Sequence, residues 1–177
     1  MFGKYRGMVV GNVDPLNLGR LLVRVPQVLI GETAWALPCV PYAGPQVGFC
    51  FTPPIGGNVW VEFEGGDIGL PIWVGCFWGA SERPVAALGP EVKLIQTETA
   101  VVSMNDSPME GGITINVQDA AVDVPAGITI NSAGIEITVE PAMVTMSPER
   151  GIAVAFPPNV LVLSDESIAP RWRGRDD

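Results

Sequence analysis

The stretch from Gly3 to Pro26, GKYRGMVVGNVDPLNLGRLLVRVP, has the pattern of a β-hairpin. Residues 8–13 are a short apolar run rich in valine, and residues 14–19 (DPLNLG) are dense in residue types that favour turns. The segment after the turn alternates, and one of its faces carries Leu21, Val23 and Val25. Because Pro26 has no N–H to donate, it ends the second strand. The sequence therefore predicts two antiparallel strands joined at residues 14–19.

Four further segments before residue 80 have strand patterns. Residues 34–40 and 49–52 are short apolar runs, and residues 58–64 alternate strictly, with Val59, Val61 and Phe63 on one face. Residues 71–78 form the last run, which is flanked by proline as an edge strand often is. An open sheet this small would expose its edges, whereas closure removes them. The pattern favours a five-stranded OB-type barrel over residues 1–82, with an SH3-like barrel or a small sandwich as alternatives.

Composition points to an all-β protein. The chain has 177 residues with 21 Gly and 17 Pro, about a fifth of the total against a usual share of about 12%. The longest apolar run, residues 69–80, contains Pro71 and is too short to span a membrane. Residues 1–6 lack the apolar core of a signal peptide. Synthesis in the cytoplasm is therefore expected.

Beyond a predicted linker at residues 83–92, short units of alternating β-formers recur about every eight residues. Their markers are Ile113, Val122, Ile128, Ile135, Val144, Ile152 and Val160. A strand this short cannot bury its apolar stripe within a single ribbon. A single-chain β-solenoid would have only about three coils, whereas three chains around one axis, each supplying one wall of a triangular prism, would bury the stripe completely. The repeat favours this triple-stranded β-helix, the needle, over residues 93–165, with a tail at 166–177.

The same alternation predicts which side chains form the core of the trimer. These are Ile113, Ile115, Ile128, Ile130, Ile135, Ile137, Val144, Ile152, Val154 and Val160. The polar positions between them are expected to face outward, at Thr114, Asn116, Thr129, Glu136 and Thr138. In the tail, arginines surround Trp172. They could dock a partner or belong to a solvated end.

Residues for catalysis or metal binding are sparse. The chain has no histidine, which excludes Ser-His and Cys-His catalysis and histidine-ligated zinc. Cys39, Cys50 and Cys76 have no close spacing, so buried structural thiols are expected. Glu62 and Glu64 could form an acid/base pair, but the polar face of an alternating strand is normally its wet face. We predict no catalytic residue, no cofactor and no metal site. Asn116, Asn131 and Asn159 could supply oxygen ligands to an ion, but the sequence shows no acidic cage beside them.

The charge distribution argues against a nucleic-acid partner. Residues 1–88 carry a net charge of −1 and residues 89–177 a net charge of −8, and affinity for nucleic acid depends on neutralising phosphates. Several aromatic residues could nevertheless make the barrel a carbohydrate-binding OB module. They are Trp35, Tyr42, Trp60, Trp73 and Trp78. Packing in the core or at a subunit interface is the simpler interpretation of these residues.

Residues 3–80 resemble the OB-fold domain of contractile-injection-system spike proteins. This family includes baseplate assembly protein V and the spikes of contractile-tailed phages, the Vgr proteins of type VI secretion and the spikes of extracellular phage-tail-like particles. The matching stretches are YRGMVV, DPLNLGRLLVRVP, PYAG, VWVEFEGGD and PIWVG, in the family's order. The motif residues are Tyr5, Gly7, Asp14, Pro15, Gly19, Arg20, Gly44, Gly65 and Asp67.

The resemblance implies a structural protein rather than an enzyme. It implies a homotrimeric central spike, incorporated into the baseplate of a phage-tail-like particle, that meets the target membrane only transiently on injection. The chain is too short for the family's hub domain, so a separate hub protein is expected, and no lysozyme-like insertion is recognisable. A PAAR-type tip protein is expected at the needle's end, near residues 152–163, with contacts at Phe156, Val162 and Leu163.

Overall fold

The computed structural model of the protein describes residues 1–85, 89–108, 111–117, 126–149, 151–157 and 159–163. The chain divides into two compact units, Met1–Arg83 and Pro84–Asp177. Across the described ranges, strands are joined by turns and one 3-10 turn at Glu64–Gly66. No helix in these ranges is long and apolar enough to cross a membrane. Residues 122–124 of the repeat and the tail with Trp172 lie outside the described residues.

The first unit is a closed five-stranded barrel, which confirms the predicted architecture. Its strand order is β1-β2-β3-β7-β6, with β3 and β7 parallel and every other pair antiparallel. A short hairpin, β4-β5, interrupts the chain between β3 and β6. The strands of this unit are β1 (Tyr5–Gly11), β2 (Leu21–Arg24), β3 (Thr33–Pro38), β4 (Ala43–Gly44), β5 (Val47–Gly48), β6 (Asn58–Phe63) and β7 (Pro71–Cys76).

The barrel interior holds the side chains that the two alternating segments predict. On β6, Val59 and Val61 are fully buried and Phe63 nearly so. The inward face of the hairpin's second segment is fully buried as well, at Leu21, Val23 and Val25. Trp73, on β7, packs in the same cluster. Burying a side chain of this size stabilises the fold by about 1.5–3 kcal/mol.

The structure differs from the sequence prediction at two places in this unit. Residues 49–52 are not a strand; the small hairpin of β4 and β5 precedes them, because Pro45 and Gln46 form its turn. Strand β7 is not an edge, since it pairs with β3 on one side and β6 on the other. Closure through the parallel β3–β7 pair therefore leaves no place in the barrel for residues 49–52.

The cysteines are exposed, and the prediction of buried thiols is wrong. Cys39 follows the end of β3, Cys76 ends β7 and Cys50 lies in the segment between β5 and β6. All three positions therefore lie at strand ends or outside the barrel wall. Partial burial raises the pKa of the Cys76 thiol.

The second unit is a single antiparallel sheet of eight strands, in which every pair is formed by neighbours along the chain. This meander is the arrangement expected if each chain supplies one wall of a prism. Strand β8 begins at Val92, the last residue of the predicted linker. The strands are β8 (Val92–Gln96), β9 (Ala100–Asn105), β10 (Gly112–Val117), β11 (Ala126–Asn131), β12 (Gly134–Val139), β13 (Ala142–Ser147), β14 (Gly151–Phe156) and β15 (Asn159–Leu163).

Candidate functional site

The strand register of the second unit gathers its isoleucines and valines on one face. Ile115 lies opposite Ile128, Ile128 opposite Ile137, and Ile137 opposite Val144. Directly opposed residues of antiparallel strands share a face, so the row continues across the sheet. We call this face the apolar wall; it comprises Val102, Met104, Ile113, Ile115, Ile128, Ile130, Ile135, Ile137, Val144, Met146, Ile152 and Val154.

Nine of the ten predicted core residues lie on this face. The prediction missed three other members of the wall, and also Ile95 and Leu161, which lie opposite Val102 and Val154. Val102, Met104 and Met146 obey the same alternation, which was the available signal. The tenth predicted residue, Val160, lies opposite Ala155 and therefore on the other face. The reason is the short connection after β14: it sets Phe156 opposite Asn159, so that Leu161 rather than Val160 lies opposite Val154.

The apolar wall is partly exposed in the single chain. Ile113 is 42% exposed, Ile137 37% and Val154 43%. All the buried hydrophobic residues among those the structure describes belong to the barrel. One layer of sheet has no second layer to cover it, so its apolar face can be buried only by another surface. The wall is thus an interface without its partner.

The opposite face of the sheet is mainly polar over β10 to β13. Thr114, Thr129, Glu136 and Thr145 are opposed in sequence from one strand to the next. The hydroxyl oxygens of Ser103 and Thr114 are 2.7 Å apart and share a hydrogen bond. Thr114, Thr129 and Glu136 are among the positions expected to face outward. Ser103, Thr114 and Thr129 line an open depression of about 450 Å³.

The three asparagines that could supply oxygen ligands to an ion lie on different strands and do not form a cage. Asn116 lies in β10, Asn131 ends β11 and Asn159 begins β15. The Oδ1 atom of Asn131 accepts a hydrogen bond from the Ala133 N–H at 2.9 Å, which is the local turn bond that asparagine commonly makes. Within the described ranges, no group of three His, Cys, Asp or Glu side chains is placed to hold a metal ion.

The predicted tip contacts lie on the last two strands. Phe156 ends β14 and is 58% exposed. Val162 and Leu163 belong to β15, where their backbones pair with Ala153 and Ile152. The three residues therefore fall on one terminal hairpin of the sheet.

In the barrel, the motif residues Asp14 and Arg20 form a carboxylate-centred loop. The carboxylate of Asp14 accepts hydrogen bonds from the backbone N–H groups of Leu16, Leu18 and Arg20, at 3.0, 2.7 and 3.2 Å. Its Oδ1 atom also accepts bonds from Nε and Nη2 of Arg20, at 3.0 and 2.7 Å. These side chains are only 5% and 18% exposed, respectively. The guanidinium and the backbone N–H groups hold the pKa of Asp14 well below its usual range.

Two further contacts fasten this loop to the barrel. The guanidinium of Arg20 lies over the Trp35 ring, 5.1 Å from its centre. The Nε1 atom of Trp73 donates a hydrogen bond to the carbonyl of Gly19 at 3.3 Å. Pro15 lies between the anchored residues. The motif therefore shapes the β1–β2 connection, because the Asp14 carboxylate and the Arg20 guanidinium bind each other and the loop backbone.

The remaining motif residues have local structural contacts. The Tyr5 ring packs edge-to-face on Phe63, with centres 5.6 Å apart. At Gly7 a Cβ atom would lie 3.0 Å from a methyl group of Val61, so the barrel wall has little room for a side chain there. Gly44 is in β4 and Gly65 in the 3-10 turn. The Asp67 N–H closes that turn by donating to the Glu64 carbonyl at 3.0 Å, and the Asp67 Oδ1 accepts a bond from the Gly69 N–H at 2.8 Å in the segment that follows.

The five aromatic residues considered for sugar binding do not form one face. Trp73 is in the core and Trp35 is covered by Arg20. Trp60 packs on Phe77 with ring centres 4.7 Å apart. The remaining two are exposed and lie in different segments, at Tyr42 and Trp78. A sugar platform needs adjacent exposed rings, which this arrangement does not supply.

The two glutamates considered as an acid/base pair do not share a strand. Strand β6 ends at Phe63, and Glu64 begins the 3-10 turn. Glu62 is paired with Lys4, at 2.8 Å between Nζ and Oε1, and both side chains are solvent-exposed. The contact is that of a surface ion pair.

Two family models match the chain, one for each unit. Residues 5–78 match the type VI secretion system/phage-baseplate injector OB domain, and residues 92–154 match the phage baseplate V C-terminal trimerisation domain. Comparison with curated proteins finds no match. The second match covers most of the sheet that carries the apolar wall, and it supports assembly of three copies. Since the two matches together span more than half of the chain, the protein belongs to the phage baseplate V family of spike-type structural proteins.

Proposed function

We propose that this protein is the homotrimeric central spike of a contractile injection apparatus. In this role it connects a hub protein to a tip protein, transmits the work of sheath contraction and helps to pierce the target envelope. The observation that carries the proposal is the apolar wall, a continuous stripe of Ile, Val and Met on a sheet that no second layer covers in the part of the chain that the structure describes. The match to a baseplate trimerisation domain supports covering that stripe with two further copies.

The energetics of the wall favour association. Complete burial of an Ile or Val side chain is worth about 1.5–3 kcal/mol, so a side chain still about 40% exposed retains about 1 kcal/mol to be gained. Eight of the twelve members of the wall are between 36% and 43% exposed, and three chains bring three walls to one axis. An intertwined trimer suits a spike that transmits mechanical force, because removing one chain would expose the apolar walls of the other two.

The two ends of the spike are proposed to meet different proteins. A separate hub protein binds the barrel unit, and a PAAR-type tip protein binds the β14–β15 hairpin through Phe156, Val162 and Leu163. The exposure of Phe156 and the position of β15 at the outer edge of the sheet formed by the described strands support a contact at this hairpin. Phe156 follows Ile152 and Val154 in the alternation of β14 and so lies on the face of the apolar wall, which makes an uncharged substitution necessary. Phe156→Ala, in a chain that light scattering still finds trimeric, should then reduce co-purification of the tip protein, while Glu149→Gln, in the preceding β13–β14 turn, should not.

The proposed role is structural and not enzymatic. The matched domains are an injector OB domain and a trimerisation domain, and in the barrel the polar groups of the Asp14 loop are used in holding the loop itself. We further propose that the protein is made in the cytoplasm and assembled into the baseplate of a phage-tail-like particle. Contact with the target membrane is confined to the injection event.

The mass of the purified chain in solution tests the proposal. Light scattering should give three times the chain mass of 18.7 kDa. An unheated SDS gel should show a trimer band that disappears on boiling, since an interwoven β-structure resists detergent more than a surface contact does. A monomer that melts cooperatively at micromolar concentration would refute the spike, because the apolar wall would then need no partner.

A further inference from the structure

The barrel unit also carries an exposed apolar segment, which we call the 41–55 loop (PYAGPQVGFCFTPPI). It connects β3 to β6 and contains the β4–β5 hairpin. Five of its large apolar side chains are more than half exposed: Tyr42, Val47, Phe49, Phe51 and Ile55. Elsewhere in the barrel unit the exposed apolar residues occur singly or in shorter runs, such as Val13, Leu16 and Leu18. The run of five within 15 residues in this loop is larger, so it indicates a contact surface.

The loop has a defined backbone conformation. Its hairpin turns at Pro45 and Gln46, and Gln46 adopts a positive φ of 60°. The Phe49 N–H donates to the carbonyl of Tyr42 at 2.9 Å, which extends the hairpin by one bond. The rings of Phe49 and Phe51 lie 5.9 Å apart. The apolar side chains are therefore presented by an ordered scaffold, which lowers the entropic cost of docking them.

We propose that the 41–55 loop packs against the barrel of a neighbouring copy within the trimer. This inference rests on the homotrimer proposed above. The loop contains no charged residue, so three symmetry-related copies can approach without like-charge repulsion. In a three-fold ring each copy offers this loop to the next, and such a contact closes on itself without forming a filament.

The size of the surface favours a second copy over an independent partner. A half-exposed aromatic or aliphatic side chain offers about 100 Å², so the five together offer about 500 Å². This is less than the roughly 800 Å² per partner of a stable free-standing complex. A contact of this size can still form between molecules that are already joined, because tethering raises the effective concentration to about the millimolar range.

The chain length between the units provides that tether. Residues 77–91 separate β7 from β8, and 15 residues span at most about 50 Å. Three barrels whose sheets assemble on one axis are thus confined to a small volume. Their apolar loops meet each other more often than they meet any untethered protein at cellular concentration.

Cys50, between Phe49 and Phe51, is a native reporter for this contact. We would prepare the full chain with Cys50 as its single thiol, through Cys39→Ser and Cys76→Ser. The matched control retains only Cys39, which is also exposed in the single chain. The rate of modification by a maleimide is then measured in the native state at several protein concentrations, beside the mass in solution.

If the loop is covered in the trimer, Cys50 reacts at least tenfold more slowly than Cys39, at every concentration where the mass is that of a trimer. Two changes should restore the fast rate. The first is Phe49→Ser with Phe51→Ser, in a chain that remains trimeric; the second is Ile137→Asp in the apolar wall, which separates the chains.

Four results would overturn the proposal, and they separate its failure from failure of the spike. A trimer in which Cys50 reacts as fast as Cys39 refutes the loop contact and leaves the spike standing. If Cys50 loses its protection on dilution while the mass remains that of a trimer, the contact is one between separate trimers. Protection that survives in a monomeric Ile137→Asp chain assigns it to the chain's own fold. A wild-type monomer refutes both proposals together.

Discussion

A single charge placed on the apolar wall should separate the three chains. Ile137 is 37% exposed in one chain, so its removal costs about 1 kcal/mol of burial per chain and about 3 kcal/mol per trimer. Ile137→Asp adds three carboxylates near one axis, each with a desolvation cost of several kcal/mol. The total is on the order of 10 kcal/mol, which weakens association by about a millionfold or more. We therefore expect a monomer at micromolar concentration.

The neighbouring residue supplies the matched control. Thr138 lies one position along β12, on the opposite, polar face. Thr138→Asp removes the hydrogen bond from the Thr138 hydroxyl to Glu136 and adds a second exposed carboxylate beside it, so it should cost about 1 kcal/mol and leave the trimer intact. Both variants would be compared by light scattering and by unheated SDS gels, with circular dichroism to confirm β-structure in the barrel. If the two variants behave alike, or if Ile137→Asp remains trimeric, the assignment of the apolar wall as the interface is wrong.

Three further outcomes are expected. Because the pKa of Asp14 is lower in the folded than in the unfolded chain, its ionised carboxylate stabilises the fold fully above the unfolded pKa of about 4, and this stability is lost as the pH falls below that value. Asp14→Asn should therefore remove this part of the acid dependence in thermal melts from pH 7 to pH 2. A profile of melting temperature against pH that is the same in both proteins would contradict this expectation. Gly134→Ala puts a Cβ atom 2.0 Å from the Met146 carbonyl oxygen at a φ of 140°, so denaturant melts should show a loss of about 2 kcal/mol or more. Val61→Ala should destabilise the barrel by about 2 kcal/mol while light scattering still reports a trimer.

The sequence was most informative where alternation and burial coincide. Val59, Val61 and Phe63 face inward because the period of a strand is two and one face of a barrel is always dry. The same rule placed the isoleucines of the second unit on one face. It failed at Val160, where the register depends on a connection whose geometry cannot be read from hydrophobicity. Register is a property of turns as much as of strands.

Pairing between distant segments was beyond the reach of the sequence. In the parallel pair of β3 and β7, Leu37 lies opposite Ile72, and no local sequence pattern predicts such a long-range pairing. Residues 49–52 resemble a strand in composition, but a strand also needs a free edge to pair with, and the barrel has none left. The aromatic residues likewise depend on their neighbours: Trp35 is covered only because the Asp14 loop brings Arg20 over it.

Nearest-neighbour pairing in the eight-stranded sheet makes its length adjustable. Each strand contacts only the strands before and after it along the chain, and adjacent strands are about 4.8 Å apart. Removing an even number of strands would shorten the sheet in steps of about 10 Å and preserve both the alternation and the direction of the chain. Evolution or an engineer can thus change the reach of the needle by whole hairpins, while the barrel and its connections stay unaltered.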